Sequence, residues 1–450
     1  MEHQSPMIQR RNGENHHVIE VFKSVERKRQ EMPRLLRTSA GDESCSIFRA
    51  PENLSKNTLK GDAFEPHIVS IGPYHHGKDQ LQMIEEHKGR YLDNLLSRTK
   101  DKSFEDFFNA IYLREEEARK SYSGYIDLGT EKFVEMLVLD GCFIIEIIRM
   151  SLGKVRVNYD DPIFMMQWAI PILTRDFIKL ENQLPFFVLQ EMFDLSKGEG
   201  EEEEEVVEDI SLTFLALKFF NYALSRPDEV IKRWGETDLK PFHLLDLLRL
   251  TFIPGDNVSK AKNSSLKVIQ CATKLYKNGI GFEAGESDSL FQLEFKKGRI
   301  QIPTVTLDDF MTSVFLNCIA FEQCHQTKIK HVNIYAAVLA CLINRPEDVE
   351  LLRDSEVIEN YYGTNKEVSN FFIALGKEVS FDSERTYVLK FFEDVNEHYR
   401  NEWRIQWTSF TRTYCSTPWK AFSVLAAIIL LLLTTAQTVF SVLSYVHPQS

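Results

Sequence analysis

Two adjacent histidines, His75 and His76, lie in Ser70-Ile-Gly-Pro-Tyr-His-His-Gly77, where the glycines and the proline predict a loop. A loop can present two imidazoles to a metal ion, but no third ligand stands at the spacing of a metal motif. Glu322-x-x-His325 has the spacing of a di-iron helix, and such a site needs a second pair on a facing helix. The predicted helices supply no second pair. We therefore expect a structural loop and a buried or capping pair, with no metal and no cofactor.

Two further patterns carry reactive or polar groups inside apolar runs. Cys142, in Asp140-Gly-Cys142, lacks the neighbouring base and electropositive surround that a nucleophilic thiolate needs. The sequence therefore predicts an inert core cysteine. Glu181-Asn-Gln183 places three polar side chains before Pro185, and buried polar groups must be hydrogen-bonded. A structural polar network is the favoured interpretation, and no catalytic residue is assigned.

The elements that position these residues are mostly helices. Apolar spacing predicts them over 81–99, 104–121, 132–150, 163–193, 212–224, 241–250, 307–324, 333–344, 346–360, 366–375 and 383–413. Alternating apolar residues on both sides of Lys297-Gly298 predict a β-hairpin over 291–302, and residues 279–282 predict a third strand. The predicted fold is mainly α: a large helical body with a small β-hairpin and one C-terminal transmembrane helix.

Composition divides the chain into five parts. A polar, mobile arm over 1–44 precedes a first helical segment over 45–195. An acidic linker over 196–210 follows, because a Glu block after Gly is typical of a solvated linker. A second helical segment with the hairpin spans 211–415, and the transmembrane helix spans 421–445.

The C-terminal run from Ala421 to Tyr445 contains no charged residue. Its length corresponds to about 37 Å of helix, enough for a hydrocarbon core of roughly 30 Å. Trp419 and Tyr445 bracket it as interfacial aromatics do. Basic residues precede the run and none follows it, which places the body in the cytosol. The N-terminus has no apolar signal-peptide run, so the chain is predicted to be tail-anchored.

One face of this helix is rich in small and polar residues. On a helical wheel it gathers Ser423, Ala427, Thr434, Gln437, Thr438 and Ser441, together with Leu430 and Tyr445. Small residues let helices approach closely in lipid, and Gln437 can hydrogen-bond to a neighbour. This pattern predicts that the anchor self-associates or pairs with another spanning helix. The alternative is that Ser and Thr bond back to their own helix.

Charge excludes one class of partner. The formal net charge is -13 and the isoelectric point is about 5.5. Nucleic-acid binding needs a concentrated basic face, so no nucleic-acid partner is predicted.

Several motifs together resemble one family. They include the 69–77 loop, Leu139-Asp-Gly-Cys-Phe143, Leu180-Glu-Asn-Gln-Leu-Pro-Phe-Phe-Val-Leu189, His243-Leu-Leu-Asp-Leu247, Ile302-Pro303, Asn317-x-Ile-Ala-Phe-Glu-Gln323 and Pro418-Trp419. The chain resembles, over about residues 45–445, the plant domain-of-unknown-function 247 family (DUF247), also called uncharacterised protein family 0481. The resemblance implies a plant source and a helical, membrane-anchored protein without established catalytic residues. Some grass members are linked to self-incompatibility recognition, which implies a binding role.

These observations favour a membrane-anchored interaction or recognition module without identifiable catalysis. Its membrane and its protein partner are not encoded in any motif. The alternative is an enzyme of unrecognised type with a pocket near His75, His76, Cys142 and Glu181.

Overall fold

A computed structural model of the chain describes residues 23, 25, 36–51, 54, 63–99, 101–197, 211–254, 268–326, 329–379, 388–400 and 418–446. The chain falls into two compact units. Unit 1 comprises Met1–Ser55, Asp62–Leu248 and Leu316–Thr327. Unit 2 comprises Lys56–Gly61, Arg249–Phe315 and Lys328–Ser450. The predicted boundary at the acidic linker stays a prediction, because residues 198–210 lie outside the described part.

Helices dominate unit 1, as predicted. They are α1 Gln82–Glu85, α2 Lys88–Arg98, α3 Phe104–Tyr112, α4 Glu115–Lys120, α5 Thr130–Ser151, α6 Pro162–Met165, α7 Ala169–Asp176, α8 Phe186–Leu195, α9 Leu212–Leu224, α10 Asp228–Glu236 and α11 Leu244–Phe252, whose last turn belongs to unit 2. Helices α2, α3, α4, α8 and α9 pack against α5. Helix α5 is buried on nearly all sides because apolar residues occupy most positions from Phe133 to Met150.

Three predicted helices of unit 1 are interrupted. The helix predicted over 81–99 becomes a 3-10 turn, Asp79–Leu81, followed by α1 and α2. The helix predicted over 104–121 divides into α3 and α4. The helix predicted over 163–193 divides into α6, α7 and α8, because residues 177–185 form a non-helical segment that ends at Pro185. Proline disfavours helical backbone at the residue before it, which accounts for the start of α8 at Phe186.

Unit 2 combines helices with two small sheets. Its elements are α12 Ala272–Lys277, β1 Gly281–Ala284, β2 Glu294–Lys296, β3 Arg299–Ile302, β4 Val305–Leu307, α13 Asp309–Cys324, α14 His331–Leu342, α15 Pro346–Asp354, β5 Ile358–Asn360, α16 Asn365–Glu378 and α17 Leu389–Tyr399. The end of α13, from Leu316, belongs to unit 1. Strands β2 and β3 form the predicted antiparallel hairpin, and β1 adds the predicted third strand, parallel to β3.

The hairpin turn depends on two residues with positive φ. Lys297 has φ 53° and Gly298 has φ 79°, the combination that a two-residue turn matching the twist of its strands requires. A second sheet pairs β4 with β5 in parallel. The helix predicted over 346–360 is therefore wrong at its end: α15 stops at Asp354, and Glu356 takes φ 58° before β5 begins. The core of unit 2 contains the aromatic rings of Phe252, Phe291, Phe315 and Tyr335, which contact one another in edge-on, tilted and stacked arrangements.

The last described element is α18, Pro418–Val446. Its stretch Phe422–Leu443 has a mean hydropathy of 2.1, and none of it is buried inside the protein. This helix is long and apolar enough to span a membrane. The observed helix extends the predicted span of 421–445 by a few residues at its start.

Candidate functional site

The loop from Ser70 to Gly77 belongs to unit 1 and is hydrogen-bonded to side chains from other sequence motifs of that unit. Residues 67–72, which lead into this loop and form its first part, pair with no described strand. Their backbone groups are satisfied by side chains instead, as buried backbone must be. The backbone N–H groups of His67, Ile68 and Val69 donate to the Asp176 carboxylate at 2.9, 2.9 and 3.2 Å.

Two further side chains hold the start of the loop. The Ile71 N–H donates to Asn182 Oδ1 at 2.7 Å, and the Gly72 N–H donates to Asp140 Oδ2 at 2.7 Å. Asn182 Nδ2 donates in return to the Val69 carbonyl at 3.2 Å. Two motifs far apart in the chain therefore position the same short stretch of backbone.

A buried lysine completes this arrangement. Lys88 is 1% exposed, and its ammonium lies 2.6 Å from the Ser70 carbonyl and 2.5 Å from both Glu85 Oε2 and Asp140 Oδ1. A lysine ammonium has three hydrogens, so these three acceptors saturate it. Burial raises the pKa of Asp140, and the Lys88 charge opposes that rise. Lys88 therefore clamps the loop and has no hydrogen left for a substrate.

The aromatic residue of the loop is also held by hydrogen bonds. Tyr74 donates its hydroxyl hydrogen to the Ile47 carbonyl at 3.1 Å, and its oxygen accepts the Gly124 N–H at 2.9 Å. Burial raises the pKa of Tyr74 to about 12, so the phenol stays protonated at neutral pH. The Arg49 guanidinium lies over its ring, 4.4 Å from the centroid.

The two candidate histidines differ in environment. His75 is buried, its Nε2 lies 3.4 Å from Glu181 Oε2, and neither ring nitrogen has a hydrogen bond within the described residues. His76 is exposed, and its Nδ1 lies 3.8 Å from Glu85 Oε1. The structure thus pairs each histidine with a different carboxylate. Among the described residues, no group of three or more His, Cys, Asp or Glu is arranged to hold a metal ion.

Glu181, Asn182 and Gln183 form part of the polar network that the sequence predicts. Glu181 Oε1 accepts the Ala50 N–H at 2.8 Å. Gln183 Nε2 donates to the carbonyls of Phe177 and Lys179 at 2.7 and 2.8 Å. All three side chains therefore hold backbone segments in place.

The remaining candidates are separate from this network or are inert. Cys142 is fully buried, and that burial raises the pKa of its thiol, which stays protonated. Described residues form one cavity of about 450 Å³ and another of about 360 Å³. Neither cavity is lined by His75, His76, Cys142 or Glu181. Neither of these two cavities is therefore the pocket that the enzyme hypothesis requires near those four residues.

Two motifs from later in the chain join the network. Asn317 Oδ1 accepts the Leu180 N–H at 2.8 Å, and its Nδ2 donates to the Ala63 carbonyl at 3.1 Å. A ring nitrogen of His243, Nε2, lies 3.1 Å from the Ser46 carbonyl. Glu322 is buried and His325 half-buried near the end of α13. Unit 1 therefore brings five of the sequence motifs together.

Sequence reasoning missed Lys88 and Asp176 as members of the network. A signal for Lys88 exists, because it shares the buried face of α2 with Tyr91 and Leu95. A lysine at an apolar-face position predicts a buried, paired ammonium. Asp176 has no such signal, since its partners lie 107 to 109 residues away.

The predicted association face lies on α18. Its hydroxyls mostly bond back into the helix: Ser423 donates to the Trp419 carbonyl at 3.0 Å, Thr434 to Leu430 at 2.7 Å, and Thr438 to Thr434 at 2.8 Å. The Gln437 side chain is exposed. Ala427 and Ser441 are exposed too. The polar group on this face with the most capacity for a neighbour is therefore the Gln437 amide.

Comparisons with known proteins agree with the sequence resemblance. The family model DUF247, described as a plant protein of unknown function, matches residues 47–433. The chain is 35% identical to UPF0481 protein At3g47200 of Arabidopsis thaliana over 92% of its own length and 90% of that protein. It is 22% identical to Putative UPF0481 protein At3g02645 of the same plant, over 95% of each. No solved structure matches the chain.

Proposed function

The chain belongs to the DUF247 family of plant proteins, and from that premise we propose that it is a membrane-anchored interaction module. The observation that carries the proposal is α18. Its Phe422–Leu443 stretch corresponds to about 33 Å of helix, against a hydrocarbon core of roughly 30 Å. Contiguous exposed apolar surface of this extent is typical of contact with a membrane or a partner.

The organisation of unit 1 supports binding over catalysis. Lys88 and Glu181 are hydrogen-bonded to backbone groups of the protein itself. Cys142 is buried, and its raised pKa keeps the thiol protonated. A catalytic acid, base or nucleophile needs access to its substrate within hydrogen-bond reach. The polar network therefore fits a rigid scaffold that presents its surface to a partner.

Deletion of residues 418–450 should move the protein from the membrane fraction to the soluble fraction. The physical reason is that this deletion removes the apolar stretch while leaving the polar network of unit 1 intact. Flotation of cell membranes through a density gradient measures the change, with the full chain as control. A truncated protein that still floats would show that another part of the chain binds the membrane.

We propose further that the body faces the cytosol. Arg400, Arg404, Arg412 and Lys420 precede the span against Glu402 alone, and residues 446–450 contain no Lys or Arg. Basic residues near a span favour the cytosolic side.

Three potential glycosylation sequons test this orientation. They begin at Asn53, Asn257 and Asn263. A cytosolic body should carry no N-linked glycan, because the glycosylating enzyme acts in the lumen. Glycosidase treatment of protein from plant membranes should leave its gel mobility unchanged. A mobility shift would place the body on the other side of the membrane.

The association face gives a third expectation. A Gln437 contact across two helices contributes about 0.6–2 kcal/mol, enough to bias a tethered pair. Gln437→Leu combined with Thr434→Leu should weaken association in a membrane two-hybrid assay on residues 415–450. Leu432→Ala, on the opposite face of the wheel, is the matched control and should leave the signal unchanged. Equal signals from both variants would leave the face without a role.

A further inference from the structure

The cavity of about 450 Å³ in unit 1 is distinct from the polar network around the 70–77 loop. It lies between α7 and α9. Its walls are apolar, with Phe164, Ile170, Pro171 and Phe219 among the lining residues. Ligand pockets in proteins occupy about 300–1,000 Å³ and are mostly apolar with a few polar groups. Size and lining therefore match a small organic molecule.

The charges at the rim of the cavity are Lys218 and Asp228. Asp228 is the first residue of α10, where the partial positive charge of the helix N-terminus compensates a carboxylate. Lys218 is exposed, and its ammonium lies 5.9 Å from the centre of the Phe214 ring, a weak interaction at that distance. No described carboxylate pairs with Lys218. Lys218 is therefore the charged lining group that can pair with an anionic ligand.

Some neutral polar groups of the cavity are already hydrogen-bonded within the protein, and others are exposed to a ligand. Thr174 donates its hydroxyl to the Ile170 carbonyl at 2.8 Å, and the Asn221 amide bonds to the Arg226 backbone. The Gln167 amide and the Ser151 hydroxyl are exposed lining groups that can donate to a ligand.

We propose that this cavity binds an organic acid with an apolar body about the size of a fused pair of rings. The body lies against Phe164 and Phe219, and the acidic group meets the Lys218 ammonium. A charge-assisted hydrogen bond is stronger than a neutral one, so the cavity selects the acid over its amide. This inference stands independently of the membrane anchor.

The test uses the full chain in detergent micelles and two probes, a fluoronaphthoate and its uncharged carboxamide, followed by fluorine NMR. Wild type should bind the acid saturably and more tightly than the amide. Lys218→Gln should weaken acid binding about tenfold and leave amide binding unchanged. Ile170→Trp should weaken binding of both probes, because the larger indole occupies part of the cavity.

Lys232→Gln is the matched control, since Lys232 lies on α10 and does not line the cavity. It should bind the acid as wild type does, which excludes a general effect of net charge. The exposed position of Lys218 keeps that variant foldable even if Ile170→Trp unfolds the protein. Absence of saturable binding by wild type, equal affinity for acid and amide, or equal acid binding by wild type and Lys218→Gln would each overturn the proposal.

Discussion

Lys88→Met should lower the free energy of unfolding of unit 1 by about 3–5 kcal/mol, the usual cost of removing one partner from a buried ion pair. The variant leaves the Asp140 carboxylate buried, with the Gly72 N–H as its remaining hydrogen-bond donor among the described residues. It also leaves the Ser70 carbonyl without the lysine hydrogen that it accepts. Urea-induced unfolding of the full chain in mild detergent, followed by circular dichroism, measures the loss.

Lys120→Met is the matched control. Lys120 Nζ lies 2.7 Å from Glu116 Oε1, as close as in a buried pair, but the two side chains are 51% and 82% exposed. Exposed ion pairs contribute about 0–1 kcal/mol, so the control should lose little stability. A loss in Lys88→Met as small as in Lys120→Met would contradict the clamp.

The pH dependence of Lys88→Met has a definite sign. Burial raises the pKa of Asp140, and the variant lacks the ammonium that opposes the rise. A carboxyl whose pKa is higher in the folded than in the unfolded state takes up a proton on folding. Stability of the variant relative to wild type should therefore improve as the pH is lowered through the folded pKa of Asp140 toward the pKa of the unfolded state.

Gly72→Ala should be the second most damaging single change. Gly72 has φ +73°, and an added Cβ would lie 2.6 Å from the Gln183 carbonyl oxygen, which is backbone and cannot rotate away. The left-handed conformation costs an L-residue about 1–2 kcal/mol, and overpacking costs about 1–3 kcal/mol more. The displaced loop would also weaken the Gly72 hydrogen bond to Asp140. Thermal unfolding of the variant measures the sum.

Gly77→Ala separates the two contributions. Gly77 has φ +79°, and nothing lies within 4 Å of an added Cβ. This variant should therefore show the conformational cost alone and lose less stability than Gly72→Ala. Equal losses at the two positions would mean that the contact with Gln183 is not rigid.

The sequence predicts elements whose stability is local. Helix α9 matches its predicted bounds of 212–224, and the hairpin follows from Lys297-Gly298. Periodicity reports such elements because neighbouring residues in the chain determine them. The apolar α18 is equally visible, since its length and lack of charge are properties of one segment.

Non-local contacts explain what the sequence does not predict. Strands β4 and β5 pair Val305 with Ile358. The residue pattern within either segment does not predict that it pairs with the other. Five backbone N–H groups of the 67–72 segment bond to side chains of Asp176, Asn182 and Asp140, which lie far away in the chain. The sequence predicts that the polar residues of the site form a hydrogen-bonded network. It does not predict their individual partners, because those are set by how distant segments pack together.

Alkaline carbonate extraction of membranes from cells that express the full chain tests the central claim most directly. Carbonate strips proteins held at the surface by charge, whereas a helix in the hydrocarbon core stays with the lipid. Membrane anchoring through Phe422–Leu443 predicts that the full chain stays in the membrane pellet, and that the variant lacking residues 418–450 never enters it. Release of the full chain into the supernatant would contradict the claim.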